Sequence, residues 1–191
     1  MEFREVVRRR RMVRHFADEP VEREVLERIA ATAQRTPSAG FSQGQRLRVA
    51  RAVGEEEYTG VGFDPWVSRC AAQFVPCVSE EIYHARYREE DKAPDGEEIA
   101  WPTPYWWVDV GMTAMLVLLA AVDEGLAAGF AGPPDPDALR EVLGIPPDFH
   151  PVGVIPIGHP LPDVRSPSLK RGWRTLDEFA RWNGWESPSA L

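Results

Sequence analysis

The amino-acid sequence predicts an α+β protein in which short strands surround one dominant helix. The helix is the clearest element, because residues 105–124 are strongly apolar and Gly125, a residue that often ends helices, follows them. Two shorter runs, 46–53 and 151–158, have the apolar patterns of strands. The sequence has no internal repeat and no linker long enough to divide it, so we expect one domain over residues 1–191.

Local patterns predict the other elements of the first half. Residues 2–9 form a short helix, and a clearer helix covers Val21–Arg35, where acidic residues occupy the first turn and apolar residues recur at helical spacing. Residues 36–44 contain Pro, Ser and Gly and therefore form a loop. Residues 71–79 suggest a strand, in which Pro76 indicates an edge position or a bulge.

The second half contains weaker signals. Polar and breaker residues mark its loops, and short apolar repeats mark its helices. In chain order, we expect a helix at 80–88, a polar surface excursion at 89–103, a tight turn or short strand at 129–132, and short helices at 135–143 and near 175–182.

Composition argues against several classes of function. The formal net charge of −8 and the pI of about 5.1 disfavour binding to nucleic acid or to an anionic membrane. Cys70 and Cys77 form no disulfide framework and the four scattered histidines have no zinc-ligand spacing, so we expect reduced thiols, a cytoplasmic setting and no metal. The apolar run 108–122 is shorter than the roughly 20 residues that span a bilayer, which favours a core or a subunit interface.

Basic residues cluster near both ends of the chain. Arginine is suited to bidentate contact with phosphate, so the two clusters could converge on one small phosphorylated ligand. The alternative is a set of independent, solvated surface salt bridges. The clusters consist of Arg8, Arg9, Arg10, Arg11 and Arg14, and of Arg165, Lys170, Arg171 and Arg174.

Two segments of small residues lie between these clusters. The loop Pro37–Gln43 offers hydroxyls, backbone N–H groups and an amide that suit the polar edge of a heterocycle. The segment Gly125–Gly132 would let a planar ligand approach the backbone closely. The alternatives are an ordinary turn and efficient packing of a helix on a strand. The sequence shows no Ser-His-Asp or Cys-His set for nucleophilic catalysis.

These four elements, in this order, resemble the motifs of the nitroreductase family. Arg10–Phe16 stands where the family has R-R-S-x-R-x-F, and Pro37–Gln45 where it has P-S-x-x-N-x-Q-P-W. Glu124–Leu126 is similar to the E-G-L that ends the dimer helix of the family. Gly158–Pro160 and Ser168–Arg171 resemble its closing strand and basic tail. The similarity covers nearly the whole chain.

The resemblance implies a three-layer α+β sandwich with a central mixed sheet, a long buried dimer helix, and a homodimer that holds FMN at its interface. Twelve residues are then expected to bind FMN, some of them from the partner subunit. They are Arg10, Arg11, Met12 and Arg14 along the phosphate and pyrimidine edge, Pro37, Ser38, Ala39 and Gln43 from the partner, the backbone of Gly129 and Phe130, and Lys170 and Arg171 over the phosphate.

The sequence departs from the family pattern at three of these motif positions. Met12 replaces the usual small hydroxyl residue, so one hydrogen bond to the flavin must come from elsewhere. Phe41 and Gly44 replace the usual Asn and Pro, which predicts a more apolar pocket.

The resemblance also implies an oxidoreductase that takes hydride from NADH or NADPH and then reduces a nitroaromatic, quinone or other electron-poor acceptor by ping-pong transfer. The cofactor carries the chemistry and solvent can supply protons, so no catalytic side chain is expected. A small aromatic acceptor would contact Phe41, Tyr105 and Trp106, with Trp101 and Trp107 as further candidates, although interface packing would also explain these rings. The alternatives are a specialised oxidase or dehalogenase on the same fold, and a non-catalytic flavin-binding protein.

Overall fold

The computed structural model describes residues 1–51, 54–162, 164 and 166–185, which build one five-stranded sheet. The spatial order is β1-β2-β5-β3, and β4 pairs with β2 beside β5. Every pairing among the described residues is antiparallel, so the predicted α+β class is confirmed, but the expected mixed sheet is wrong for this part of the chain. The connection between β1 and β2 begins and ends at the same end of the sheet, so the two neighbouring strands run in opposite directions. The strands are β1 (Gln45–Arg51), β2 (Ala72–Val78), β3 (Ala127–Ala128), β4 (His150–Pro151) and β5 (Ile155–Gly158).

Each helix predicted from the sequence is present, mostly with shorter bounds. The helices are α1 (Phe3–Arg9), α2 (Arg23–Ala33), α3 (Glu55–Gly60), α4 (Glu80–Tyr87), α5 (Tyr105–Asp123), α6 (Pro136–Leu143) and α7 (Leu176–Phe179). Short 3-10 turns cover Ala39–Phe41, Pro65–Val67 and Pro167–Arg171. Gly125 follows α5 with φ +80°, a conformation that favours glycine and ends the helix.

The sheet lies between two helical layers, which gives the expected sandwich. Successive side chains of a strand point to opposite faces, and β2 is buried on both. Ala72 and Phe74 pack in the cluster that contains the buried residues of α2 and α5. Val75 and Cys77 pack in a second cluster with residues of α3 and α6.

The edge position, one interpretation of Pro76, is wrong, but its alternative, a bulge, is supported, because three residues lie between Pro151 and Ile155 where β2 has two between Phe74 and Cys77. β2 is a central strand and not an edge, because β1 pairs with one side and β4 and β5 with the other. Pro76 is tolerated because pairing on the second side stops at Phe74 and resumes at Cys77. The Pro76 carbonyl accepts a hydrogen bond from the Val152 N–H (3.0 Å), so the backbone of Pro76 faces this second side. Proline has no N–H, and here the lack falls where the ladder is already interrupted. The predicted strand 151–158 is divided into β4 and β5 by the same interruption.

Other bounds differ less. The strand predicted at 46–53 ends at Arg51 within the described residues, and positions 52–53 lie outside them. The turn or strand expected at 129–132 corresponds to β3, two residues earlier, and to a single bridge between Ala131 and Val154.

The helix α5 has two apolar faces. It is long and apolar enough to cross a membrane by length and composition, but half of that span is buried inside the protein. Val117 and Ala121 are fully buried on its inner face, among residues of α2 and the sheet. Its outer face exposes Tyr105, Val108 and Met112, and Met115 continues the same stripe at helical spacing. The helix is therefore a core element whose second apolar face has no partner within the described protomer.

The excursion at 89–103 is fixed to α4 by a histidine between two carboxylates. His84 Nδ1 is hydrogen-bonded to Glu98, and His84 Nε2 lies 3.2 Å from Glu80. Trp101 Nε1 also donates to Glu98 (2.6 Å). The hydrogen bond with Glu98 raises the pKa of His84, and the same bond lowers the pKa of Glu98.

We expect the free energy of unfolding to fall as pH rises through the raised pKa of His84. Its folded pKa exceeds the ordinary value of 6.5, so its contribution is complete below that value and is lost above the folded pKa. Urea unfolding of His84→Gln at several pH values should show a flatter dependence across this window. His159→Gln is the control, because its nearest carboxylate, Glu19, is 3.8 Å away. An unchanged pH slope in His84→Gln would assign the dependence to other groups.

Candidate functional site

The N-terminal motif lies beside β3 and the end of β5. The Val13 N–H donates to the Ala128 carbonyl (3.2 Å), and the Ala17 N–H donates to the His159 carbonyl (2.9 Å). Phe16 forms a bridge with Pro160. These contacts join the arginine segment to two motifs that lie more than a hundred residues further along the chain, the segment after α5 and the end of the closing strand.

The arginines of this motif differ in their partners. Arg8 and Arg9 hydrogen-bond to Glu5 at 2.5–2.7 Å, and these bonds lower the pKa of Glu5 to about 2. The guanidinium groups of Arg10 and Arg11 have no hydrogen-bond partner among the described residues. Arg11 lines an open cleft of about 470 Å³ together with Arg8 and Arg9, and Val13, Leu126, Ala128 and Pro160 also border it. Arg10 and Arg11 are therefore the members of the cluster that remain available to an anion.

Arg14 and Gly129 meet at an aromatic ring that the sequence analysis missed. The guanidinium carbon of Arg14 lies 5.6 Å from the centroid of the Trp66 ring, within the range of a cation–π contact. A Cβ at Gly129 would lie 3.0 Å from this ring and 2.5 Å from the Val13 carbonyl oxygen. Packing alone therefore requires glycine at position 129. No spacing in the sequence connects Trp66 with either residue.

Met12 and Phe130, both expected at the flavin, contact each other. The Phe130 N–H lies 3.1 Å from Met12 Sδ, and thioether sulfur is a weak acceptor. The Gly129 N–H donates to the Pro156 carbonyl (3.1 Å). Both backbone donors that were expected to face a ligand are thus engaged within the protomer. A ligand at this position would meet carbonyl groups or side chains first.

The loop Pro37–Gln43 is a tight turn with unusual backbone angles. The Phe41 N–H donates to the Ser38 carbonyl, and the Gln43 N–H donates to Ser38 Oγ, both at 2.9 Å. Gly40, Phe41 and Gln43 all have positive φ, at 59°, 57° and 51°. This conformation is costly for the two residues that carry a side chain. Phe41 is 74% exposed, and Gln43 lines a second cleft, of about 520 Å³, between α2 and β1.

Contacts from α4 and α5 hold this loop in place. The Ala39 N–H donates to Asp109 Oδ2 (2.8 Å), and Arg86 Nε donates to the Gly40 carbonyl (3.0 Å). A Cβ at Gly40 would lie 2.6 Å from the Tyr87 ring, so this position also requires glycine. Sequence reasoning placed Asp109 only at the start of an apolar run. The signal in the sequence that could have found it is an acidic residue within an otherwise apolar run.

Tyr83 is the second donor to Asp109. Its hydroxyl donates to Asp109 Oδ2 (2.9 Å). Burial, together with this hydrogen bond, raises the pKa of Tyr83. The hydroxyl therefore stays protonated at neutral pH and remains a donor to the carboxylate.

The aromatic residues expected at the acceptor site separate into two groups. Phe41 and Tyr105 have exposed rings, and Trp107 on α5 is also exposed. Trp106 is only 6% exposed and packs with Tyr83, His84 and Trp101 inside the protein. Its Nε1 is buried without a hydrogen-bond partner among the described residues. In this conformation the ring of Trp106 belongs to the interior.

Lys170 and Arg171 lie in the exposed tail, which comprises the described residues 164 and 166–185. They belong to the 3-10 turn Pro167–Arg171, and neither side chain has a hydrogen-bond partner in the described ranges. No hydrogen bond or ion pair between described residues joins them to Arg10 or Arg11. Arg165, the remaining member of this basic cluster apart from Arg174, is outside the described residues. The expected convergence of the two basic clusters on one phosphate stays a prediction.

The chain is similar to several known proteins over most of its length. The 5,6-dimethylbenzimidazole synthase of Rhodospirillum rubrum is 29% identical over 187 residues, which cover 87% of this chain and 86% of that protein. The iodotyrosine deiodinase of Haliscomenobacter hydrossis is 24% identical over 189 residues, or 89% of this chain and 84% of that protein. A protein of Exiguobacterium sibiricum, solved in complex with FMN, superposes with a TM-score of 0.68 at 20% identity, covering 91% of this chain and 98% of that one.

The family comparison covers most of the chain. The model described as the nitroreductase family matches residues 7–61 and 63–159. This range contains the N-terminal arginines, the Pro37–Gln43 loop, the long helix α5 and the segment after it. The chain therefore belongs to the nitroreductase family.

Proposed function

We propose that this protein is an FMN-dependent oxidoreductase that uses NAD(P)H to reduce nitroaromatic, quinone or other electron-poor acceptors. The observation that carries the proposal is the pair Arg10 and Arg11, whose guanidinium groups have no hydrogen-bond partner in the described structure although the chain is acidic overall. Arg11 lines the same cleft as Gly125, Leu126 and Ala128, at the junction of three family motifs. Guanidinium groups in such a position suit a phosphate-bearing cofactor.

The residues of this junction fit FMN. Arg10 and Arg11 would hold its phosphate, and Lys170 and Arg171 would add to this charge. Arg14, held over Trp66, would bring positive charge to the flavin edge. Bound FMN supplies the hydride and electron chemistry, and the protein binds it, orients it and excludes water. Positive side chains would favour the uptake of electrons at the cofactor, and solvent would supply protons.

We further propose a homodimer that forms through α5 and the tail. The apolar stripe of α5 and the tail are exposed in the protomer, and large exposed apolar patches mark interaction surfaces. The tail also has defined local structure, because Thr175 and Glu178 form a capping box at the start of α7. A second copy would cover both surfaces and bring the Pro37–Gln43 loop to the cofactor of its partner. The exposed apolar residues of the tail are Val164, Leu169, Trp173, Leu176, Phe179, Trp182 and Trp185.

A more specialised activity on the same fold is the second candidate. One curated relative is a deiodinase and another is a synthase, at 24% and 29% identity. Phe41, in place of the Asn of the family loop, is 74% exposed and gives this loop an apolar tip. Such a tip would favour a narrower set of acceptors. The same observations support an oxidase or dehalogenase that acts on one aromatic substrate.

We expect the purified protein to bind FMN and show a flavin absorption spectrum that NADH or NADPH bleaches without oxygen. Steady-state turnover with a quinone and a nitroaromatic acceptor then separates the candidates. Rapid turnover of both acceptors supports the general reductase, and turnover with oxygen alone supports the specialised oxidase. A flavin that neither nucleotide bleaches would contradict the NAD(P)H-dependent activity and favour a non-catalytic flavin-binding protein.

Arg10→Ala and Arg171→Ala should each weaken FMN binding by about 1.5–3 kcal/mol, or roughly tenfold to a hundredfold, because each removes a charge-assisted hydrogen bond. Fluorescence titration of the apoprotein with FMN measures the change in Kd. Arg23→Ala is the matched control, since Arg23 is paired with Glu27 at 2.7 Å and lies outside the cleft that Arg11 lines. If Arg10→Ala and Arg171→Ala bind FMN as the wild type does, neither residue belongs to the phosphate site.

Met112→Glu should convert the dimer to a monomer, because it places a charge in the apolar stripe of α5. Sedimentation velocity measures the state of assembly. Val142→Glu on α6 is the control, because Val142 is as exposed as Met112 (41% and 42%) but lies in the opposite helical layer. Equal dimer dissociation constants for the two variants would place the interface elsewhere.

A further inference from the structure

A buried carboxylate lies beneath the loop Pro37–Gln43. Asp109 is 4% exposed, and it belongs to the first turns of the apolar helix α5. A charge in such surroundings is unfavourable unless hydrogen bonds replace the lost water. Asp109 Oδ2 accepts two of them, from the Ala39 N–H (2.8 Å) and from the Tyr83 hydroxyl (2.9 Å). No ion pair to Asp109 occurs among the described residues, so these two donors are what stabilises the charge.

The loop above this carboxylate has a backbone that needs external support. Phe41 and Gln43 have positive φ, a conformation that residues with a side chain keep only where surrounding contacts enforce it. The contacts from α4, through Arg86 and Tyr87, act on Gly40. Asp109 acts one residue earlier, on the amide that opens the 3-10 turn. It is thus the contact that ties the start of the turn to α5.

The chemistry of Asp109 exceeds what packing alone requires. A neutral amide side chain could accept the same two hydrogen bonds without burying a charge. A carboxylate makes shorter and stronger hydrogen bonds to both donors, so it holds the loop more stiffly. The same turn of α5 carries Val108 on the exposed apolar stripe. The anchor therefore fixes the loop relative to the surface on which the proposed partner would pack.

We propose that Asp109 is a positioning residue of the cofactor site, which acts through the Ala39 amide and uses Tyr83 as its second donor. It does not touch FMN. It sets the conformation in which Ser38, Ala39 and Gln43 meet the cofactor of the partner subunit. This inference rests on the proposed FMN-dependent function.

The test compares Asp109→Asn and Tyr83→Phe with a matched control, Tyr58→Phe. Tyr58 is a buried tyrosine whose hydroxyl donates to Gln73 Oε1 at 3.0 Å, in the other core cluster. Asp109→Asn preserves the shape of the side chain, and the hydrogen-exchange protection of β2 reports whether the variant is folded. Three quantities are measured: the FMN Kd of the apoprotein, the visible circular dichroism of bound FMN, and hydrogen exchange of residues 37–43 without cofactor.

We expect Asp109→Asn to raise the FMN Kd about tenfold and Tyr83→Phe about threefold, because each weakens the charge-assisted anchor. Both should alter the circular dichroism of bound FMN and speed exchange in the loop, while β2 stays protected. Tyr58→Phe should lower thermal stability and leave the Kd and the loop exchange unchanged.

Two results would overturn the inference. One is an Asp109→Asn variant with wild-type Kd, circular dichroism and loop exchange. The other is an equal loss of FMN affinity in Tyr58→Phe, which would show that global stability is responsible. If the wild type binds no FMN, the proposed function fails, and loop exchange alone then decides whether Asp109 fixes the loop.

Discussion

The close contact between the N-terminal segment and the strand β3 determines the rest of the candidate site. A Cβ at Gly129 would lie only 2.5 Å from the Val13 carbonyl oxygen, and the Val13 N–H donates to the Ala128 carbonyl. This contact depends on a glycine at position 129, because any side chain there would meet both Val13 and Trp66. It holds Arg11 in the cleft beside the segment after α5, and Arg14 over the Trp66 ring that packs at Gly129. Without it, the arginines would form only another solvated basic patch.

Local patterns were enough to predict the helices, the loop and the order of the motifs. The apolar run of α5 and its glycine stop are short-range signals, and so are the breaker residues of the Pro37–Gln43 loop. The order of the strands could not be predicted, because pairing depends on packing between residues that are far apart in the chain. Pro76 illustrates this limit, since its place in a central strand depends on the interruption between β4 and β5.

The same reasoning explains which parts of the site escaped prediction. The motifs indicated Arg10, Arg14 and Gly129, but the ring of Trp66 that joins two of them belongs to a turn with no motif of its own. Met12 was recognised as a departure from the family pattern, yet its contact with the Phe130 N–H requires the folded chain. Short-range sequence signals thus indicate candidate residues. The contacts that bring these residues together arise only from the packing of the whole sheet.

The anchor of the loop on α5 has a thermodynamic consequence. One helix carries both the carboxylate that holds the loop and the apolar stripe, so a dimer formed through this stripe would link assembly to retention of the cofactor. Ligands that bind only the assembled form shift its equilibrium by mass action, and the coupling is reciprocal. Dilution would then release FMN, and saturation with FMN would make the subunits harder to separate.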